Sequence, residues 1–208
     1  SFFRQGLASI ATVMLNVNAA VYGDAAVAAM SVVGKVFMLI LSVLIGFGQG
    51  YQPVVGFNYG AGCYQRVKQS FTFTTIVSFV MMGILAAAGL VFAPQVIQLF
   101  TKADAQVLEI GTYAMRAQCL ALFIQPLGVI SNMTFQSIGK PAEATFLSAC
   151  RQGVFFLPLI IILPQLWQLR GVELTQPLAD VLTFIVCFPF LFKFFQELNQ
   201  KIAEQEGS

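Results

Sequence analysis

Histidine is absent from this sequence and charge is scarce: eleven Lys and Arg with nine Asp and Glu make up only 10% of 208 residues. A water-soluble domain carries about a quarter charged residues, so this chain cannot surround itself with a water-facing surface. Lacking histidine, it can form neither an H-E-x-x-H metalloprotease site nor a Cys/His zinc site. Four cysteines occur, Cys63, Cys119, Cys150 and Cys187, with no C-x-x-C spacing. Three of them lie in apolar runs, where a thiol acts as a small apolar side chain. A net charge of +2 leaves no electrostatic footprint for nucleic acid. There is no basic leader with a cleavage site, and the first residue is Ser rather than Met, so a segment of something longer is expected.

What the chain has is hydrocarbon, with 58% hydrophobic residues and a mean hydropathy of +0.80. Residues 5–23, 36–65, 69–101, 117–139 and 152–169 carry no charge, and after Glu173 only Asp180 interrupts the apolar chain as far as Phe192. A bilayer core takes about 20 helical residues. The expectation is an all-α membrane protein with six transmembrane helices, at roughly 5–22, 26–50, 71–92, 117–138, 144–164 and 176–196. A soluble bundle would show charged faces at helical period, and none of these runs does. A membrane β-barrel would alternate polar and apolar residues in segments of about ten, whereas "VSFVMMGILAAAGLVFA" is apolar all round. No internal repeat or linker divides the chain.

Loop charge sets the expected orientation. Arg4, Arg66, Lys68, Lys140, Lys193 and Lys201 fall on one side, and only Lys102 and Arg170 are basic on the other, beside Asp24, Asp104, Glu109 and Glu173. The positive side is cytoplasmic, which places both termini there. The tail "ELNQKIAEQEGS" reads as a fraying helix end.

Polar side chains within spans are costly unless they face protein or water. They form stripes on three of the helices. Gln5, Ser9, Thr12 and Asn16 recur on the first, with Asn18 off that face; Ser31, Lys35, Ser42 and Gln49 recur on the second; Gln118, Gln125, Asn132 and Gln136 recur on the fourth. Small hydroxyls can bond their own backbone, but four bulky amides on one helix are hard to satisfy by packing alone. Gln125, Asn132 and Gln136 are therefore assigned to a water-accessible cavity. Lys35 has no acidic neighbour within one turn and is read as another cavity group. The third helix turns apolar beyond Ser78 and is expected to face lipid. Arg151 is read as reaching the cytoplasmic headgroups. Asp180 is read as a carboxylate at the outer start of the last helix, where the dipole favours it.

The second span ends in "GFGQGYQPVVGFNYGAG", an unusual knot of Gly, Gln, Pro and Asn. Pro53 removes an amide donor and is expected to kink or end the helix. Gly46, Gly48 and Gly50 allow close backbone approach. Gly- and Pro-interrupted spans mark moving or binding regions in transporters.

"GQGYQPVVGFNYGAGCYQRVKQS" resembles a block of the multidrug and toxic compound extrusion (MATE) family, with the pattern G-x-Q-P-x-x-G-x-N-Y-G-A at Gly50, Gln52, Pro53, Gly56, Asn58, Tyr59, Gly60 and Ala61, followed by Arg66 and Lys68. "FQSIGKPAEATFLSACRQGVFFLPLIIILP" and "YGDAAVAAMSVVGK" are also similar to that family. The resemblance implies twelve helices in two six-helix lobes about a central cavity, with this chain as the C-terminal lobe and an N-terminal lobe as its partner. It implies secondary export of organic cations and other small amphipathic drugs across the bacterial inner membrane, exchanged for Na⁺ or H⁺. Family helices seven, eight and ten line the C-lobe side of the cavity and correspond to the three striped helices. On that basis Asn16, Asn18, Lys35, Gln49, Gln125, Asn132 and Gln136 are cavity candidates, and Gly50, Gln52, Pro53, Gly56, Asn58, Tyr59 and Gly60 a gate motif. Some members carry a Glu in helix seven and an Asp in helix ten as a cation site. Here no carboxylate occupies either helix, so no cofactor is expected and the coupling-ion site is expected in the missing lobe. No nucleophile–base pair points to an enzyme. The alternatives to an exporter lobe are a channel or another six-helix transport subunit working as a homodimer.

Overall fold

The computed structural model describes residues 2–100 and 104–208; Lys102, counted above among the loop charges, lies outside them. Within the described residues the chain is helical throughout. The helices are α1 Phe2–Ala20, α2 Asp24–Gly60, α3 Tyr64–Val91, α4 Ala93–Phe100, α5 Ala105–Leu122, α6 Gln125–Ser137, α7 Pro141–Ala149, α8 Phe156–Trp167 and α9 Leu169–Glu206, with a π-helical turn, Cys150–Val154, between α7 and α8.

Four stretches are long and apolar enough to cross a membrane: α2, α3, the run Pro141–Trp167, and α9. A fifth arises if α5 and α6, bent by 55° at their junction, count as one span. The expected first span is absent from this set because Arg4, Gln5, Asn16 and Asn18 dilute the 19 residues of α1. The fourth expected helix is broken. Pro126 has no N–H to offer the Leu122 carbonyl, so α5 ends and α6 starts again at Gln125. Pro158 likewise cannot bond the Val154 carbonyl, and the turn before it widens, with the Phe155 N–H donating to Cys150 O at 3.0 Å.

Pro53 does not end α2, which runs through it for 37 residues to Gly60. The stop comes where a left-handed glycine supplies it. Gly62 has φ +76°, its N–H donates to Tyr59 O, and the Cys63 N–H donates to Asn58 O at 2.9 Å, a Schellman cap. The same device ends α6 at Gly139, with the Lys140 N–H donating to Phe135 O. Two glycines of α2 serve close packing against α6. A Cβ on Gly48 would lie 2.1 Å from Met133 Sδ, and one on Gly56 would lie 3.2 Å from the Ser137 carbonyl. Gly46, Gly50 and Gly60 face open space.

α2 is central, packed against α1, α3, α5 and α6, while α9 closes the other side against α8, α5 and α6. Phe71, Phe135, Phe194 and Phe195 meet edge to face where α3, α6 and α9 cross. α3 buries Val67, Phe71, Thr74, Ser78, Met82 and Ala86 at helical spacing and exposes Phe73, Ile76, Val80 and Ile84 on the opposite side. That exposed apolar stripe suits hydrocarbon. Cys119, Cys150 and Cys187 are buried free thiols.

The last helix does not fray. α9 stays helical to Glu206 because its polar end is tied down. Lys201 Nζ donates to Tyr59 Oη at 2.8 Å and stands over the Tyr59 and Tyr64 rings. Gln205 donates to Gly62 O, Lys68 donates to Asn199, and Lys140 pairs with Glu197. The α2–α3 turn, the α6–α7 turn and the end of α9 therefore share one basic pole.

Candidate functional site

A cavity of about 630 Å³ opens between α1, α2, α6 and α9, with Gln118 of α5, α7, the π turn and the first residue of α8 completing its wall. Neither α3 nor α4 contributes a lining residue. The apolar wall includes Met30, Phe37, Leu41, Met133, Phe156 and Phe184, a set rich in aromatic and flexible thioether side chains that can adapt to varied shapes.

Four of the cavity candidates line this space: Gln49, Gln125, Asn132 and Gln136. Gln52, assigned to the gate motif, lines it too. These amides form a chain. Gln52 Nε2 donates to Gln136 Oε1 at 3.4 Å, Gln136 Nε2 to Asn132 Oδ1 at 3.0 Å, and Asn132 Nδ2 to Ser148 Oγ at 2.8 Å and to the Ala144 carbonyl. They link α2 to α6 and α6 to α7.

Asn16, Asn18 and Lys35 are not among the lining residues. Asn18 donates to its own Met14 carbonyl, while Asn16 and Lys35 are exposed beside the lining positions Leu15 and Gly34. One residue along a helix is a rotation of about 100°, enough to carry a side chain off the cavity face. Ser9, Thr12 and Ser42 each bond the carbonyl four residues before them.

Within the gate motif, Asn58 bonds the Val54 carbonyl and Tyr59 is held by Lys201. Next to Gln52, the buried Tyr51 hydroxyl lies 2.9 Å from Thr134 Oγ1, which itself donates to Ile130 O, so Tyr51 is the donor. Pro53 leaves the Gln49 carbonyl without its helical partner.

The charged centre of the cavity was missed from sequence. Asp180 does not open the last helix; α9 begins at Leu169, and Asp180 lies three turns inside it with its side chain 2% exposed. Arg151 does not run to a headgroup region. Its Nε donates to Asp180 Oδ1 at 2.8 Å. Gln176 Nε2 donates to the same oxygen at 3.1 Å, and Gln118 Nε2 to Oδ2 at 3.3 Å. Arg151, Gln118, Gln176 and Asp180 all line the cavity. An isolated Arg and an isolated Asp on consecutive apolar runs were the available signal, because intramembrane charges pair with one another.

The family model MatE matches residues 1–162. The chain belongs to the MatE family. Relatives include the multidrug export protein MepA of Staphylococcus haemolyticus (strain JCSC1435), 22% identical over 90% of this chain and 41% of that protein. MepA of Staphylococcus aureus (strain NCTC 8325 / PS 47) is 21% identical over 98% and 45%. Among solved structures, MATE in the bent conformation superposes with a TM-score of 0.89 at 24% identity, over 97% of this chain and 45% of the other. The outward-facing conformation of a multidrug resistance MATE family transporter of the MOP superfamily gives 0.86 at 24%, over 95% and 45%. The two structures share the fold, and the chain spans less than half the length of these relatives. As a MatE protein with several long apolar helices it is a multi-pass membrane protein of a multidrug efflux transporter family. That membership agrees with the reading that it is not an enzyme and does not favour a channel or homodimeric subunit.

Proposed function

We propose that this chain is the C-terminal six-helix lobe of a two-lobe secondary exporter of cationic and amphipathic drugs. The supporting observation is the cavity: its wall combines adaptable Met and Phe surface with a relay of Gln and Asn amides, on the face made by α1, α2 and α6. An N-terminal lobe completes the cavity, and rocking of the lobes exposes it alternately to either side. Both ends of this segment face the cytoplasm of a bacterial inner membrane, consistent with the basic pole formed by Arg66, Lys68, Lys140 and Lys201.

Inward Na⁺ or H⁺ movement drives the cycle. Asp180, the carboxylate of the described cavity wall, is already neutralised by Arg151, which favours a coupling-ion site in the partner lobe. Ethidium efflux by the intact protein, with Na⁺ and pH gradients imposed separately, tests the mechanism. One of the two gradients should accelerate efflux several-fold; efflux indifferent to both would sink it.

The cytoplasmic end of α2 serves as part of the gate. Pro53→Ala restores an amide that can bond the Gln49 carbonyl, stiffening the helix beside the cavity. Efflux by Pro53→Ala should fall several-fold at normal expression, and wild-type resistance in cells would remove Pro53 from the mechanism.

A further inference from the structure

The hydrogen-bonding groups of the cavity are not mutually satisfied. Gln125 is 6% exposed, yet neither its Nε2 nor its Oε1 has a partner, and Gln152 Oε1 on the π turn is also buried and unpaired. Both residues line the cavity. Such orphans are rare in folded proteins and call for a specific explanation. They sit beside two of the departures from regular helical geometry, the α5–α6 break and the π turn, and π turns recur at functional sites.

Arg151, on the same π turn, has donors to spare. Its Nε is engaged by Asp180, but no described residue bonds its terminal nitrogens, and its guanidinium carbon lies 5.9 Å from the ring centroid of Phe37 on the cavity wall. Asp180 has no such freedom. Its two oxygens take Arg151, Gln176 and Gln118, which fixes the guanidinium from behind. Among the described residues, the charged ones that line it are Arg4, Arg151 and Asp180. With Arg151 and Asp180 cancelling, Arg4 leaves this wall one positive charge in excess.

Building on the export reading above, we infer that this cavity recognises a carboxylate on its ligand. The terminal nitrogens of Arg151 receive the carboxylate, and the unpaired Gln125 amide and Gln152 carbonyl bond polar groups beside it. The aromatic and thioether wall takes the ligand's apolar body. The preferred ligands are amphipathic compounds that carry a carboxylate, zwitterions included, ahead of otherwise identical cations that lack one. Guanidinium–carboxylate contacts are among the strongest hydrogen bonds available to a protein, and an Arg already oriented by Asp180 gives up little freedom on binding.

Rhodamine B and its ethyl ester share one cationic aromatic body and differ in the free carboxylate, which makes them a direct probe. Fluorescence polarisation on the purified intact protein should show rhodamine B binding roughly tenfold tighter than the ester, the ratio expected for one charge-assisted hydrogen bond. Arg151→Gln should abolish that difference. Should this variant not fold, Gln125→Leu removes an unpaired buried amide without orphaning a charge, and should reduce the preference several-fold. Equal affinity of the two dyes for the wild type overturns the inference, as does failure of both to bind or a preference that survives both substitutions. Efflux separates the two readings. If ethidium or either rhodamine is exported while the two rhodamines bind equally, only the carboxylate site falls; if none of the three dyes is exported, the export reading falls.

Discussion

Asp180→Ala should destabilise the protein by about 3 kcal/mol, because it strands the Arg151 guanidinium where no described residue can neutralise it. In a chain of this length that corresponds to a fall of roughly 6–12 °C in the unfolding temperature, measured on detergent-solubilised protein. The same physics predicts the rescue. Removing both partners, as in Arg151→Met with Asp180→Leu, leaves no uncompensated charge and should recover most of the loss, to within about 1 kcal/mol of the wild type. The Gln118 and Gln176 amides lose their acceptor in either variant, so they do not account for the difference. If the losses of Arg151→Met and Asp180→Leu, each measured singly, sum to the loss of the double variant, the pair is not coupled and the ion pair is not what holds this centre.

Gly171→Ala is the second large effect. The α8–α9 turn is so tight that a Cβ at this position would lie 2.2 Å from the Leu163 carbonyl oxygen, 2.3 Å from its carbon and 2.7 Å from Pro164 N. All three are backbone atoms, so no side-chain rotation relieves the clash. The hairpin must open, which also disturbs the Tyr22 hydroxyl that donates to Pro164 O at 3.2 Å and ties α1 to this corner. A loss above about 4 kcal/mol is expected, in the range of the most damaging single substitutions, seen as failure to recover folded, monodisperse protein. Gly62→Ala is the control. Its cost comes only from placing a Cβ at φ +76°, with no backbone atom in the way, and should be about 1–2 kcal/mol. Equal yields of the two variants would mean that the turn is looser than the coordinates show.

The amide stripe of the fourth expected helix illustrates what could be read without coordinates. Gln118, Gln125, Asn132 and Gln136 all line the cavity even though α5 and α6 meet at a 55° bend between the first and second of them. Their spacing records a shared face, and the bend preserved it. The stripes on α1 and α2 were less informative. Gln5, Thr12 and Gln49 reach the cavity, but Asn16 and Lys35 fall one residue to the side. Periodicity states which residues share a face and leaves open how that face is turned.

Taken alone, the order of residues determined the solvent, the helical class and the apolar runs, because these depend on hydropathy and on backbone bonds closed within one segment. The glycine stops at Gly62 and Gly139 were not read from it: the second span was expected to end near residue 50, and a glycine shows its left-handed turn only once the chain around it is placed. Tertiary structure alone decided where helices continue through Pro53, break at Pro126 or widen before Pro158, because each proline removes the same amide and the packing around it sets the outcome. It alone brought Arg151 to Asp180 from two different helices. A charge pair is a matter of distance in space, and the approach of α9 to the π turn is set by packing between helices far apart in the chain.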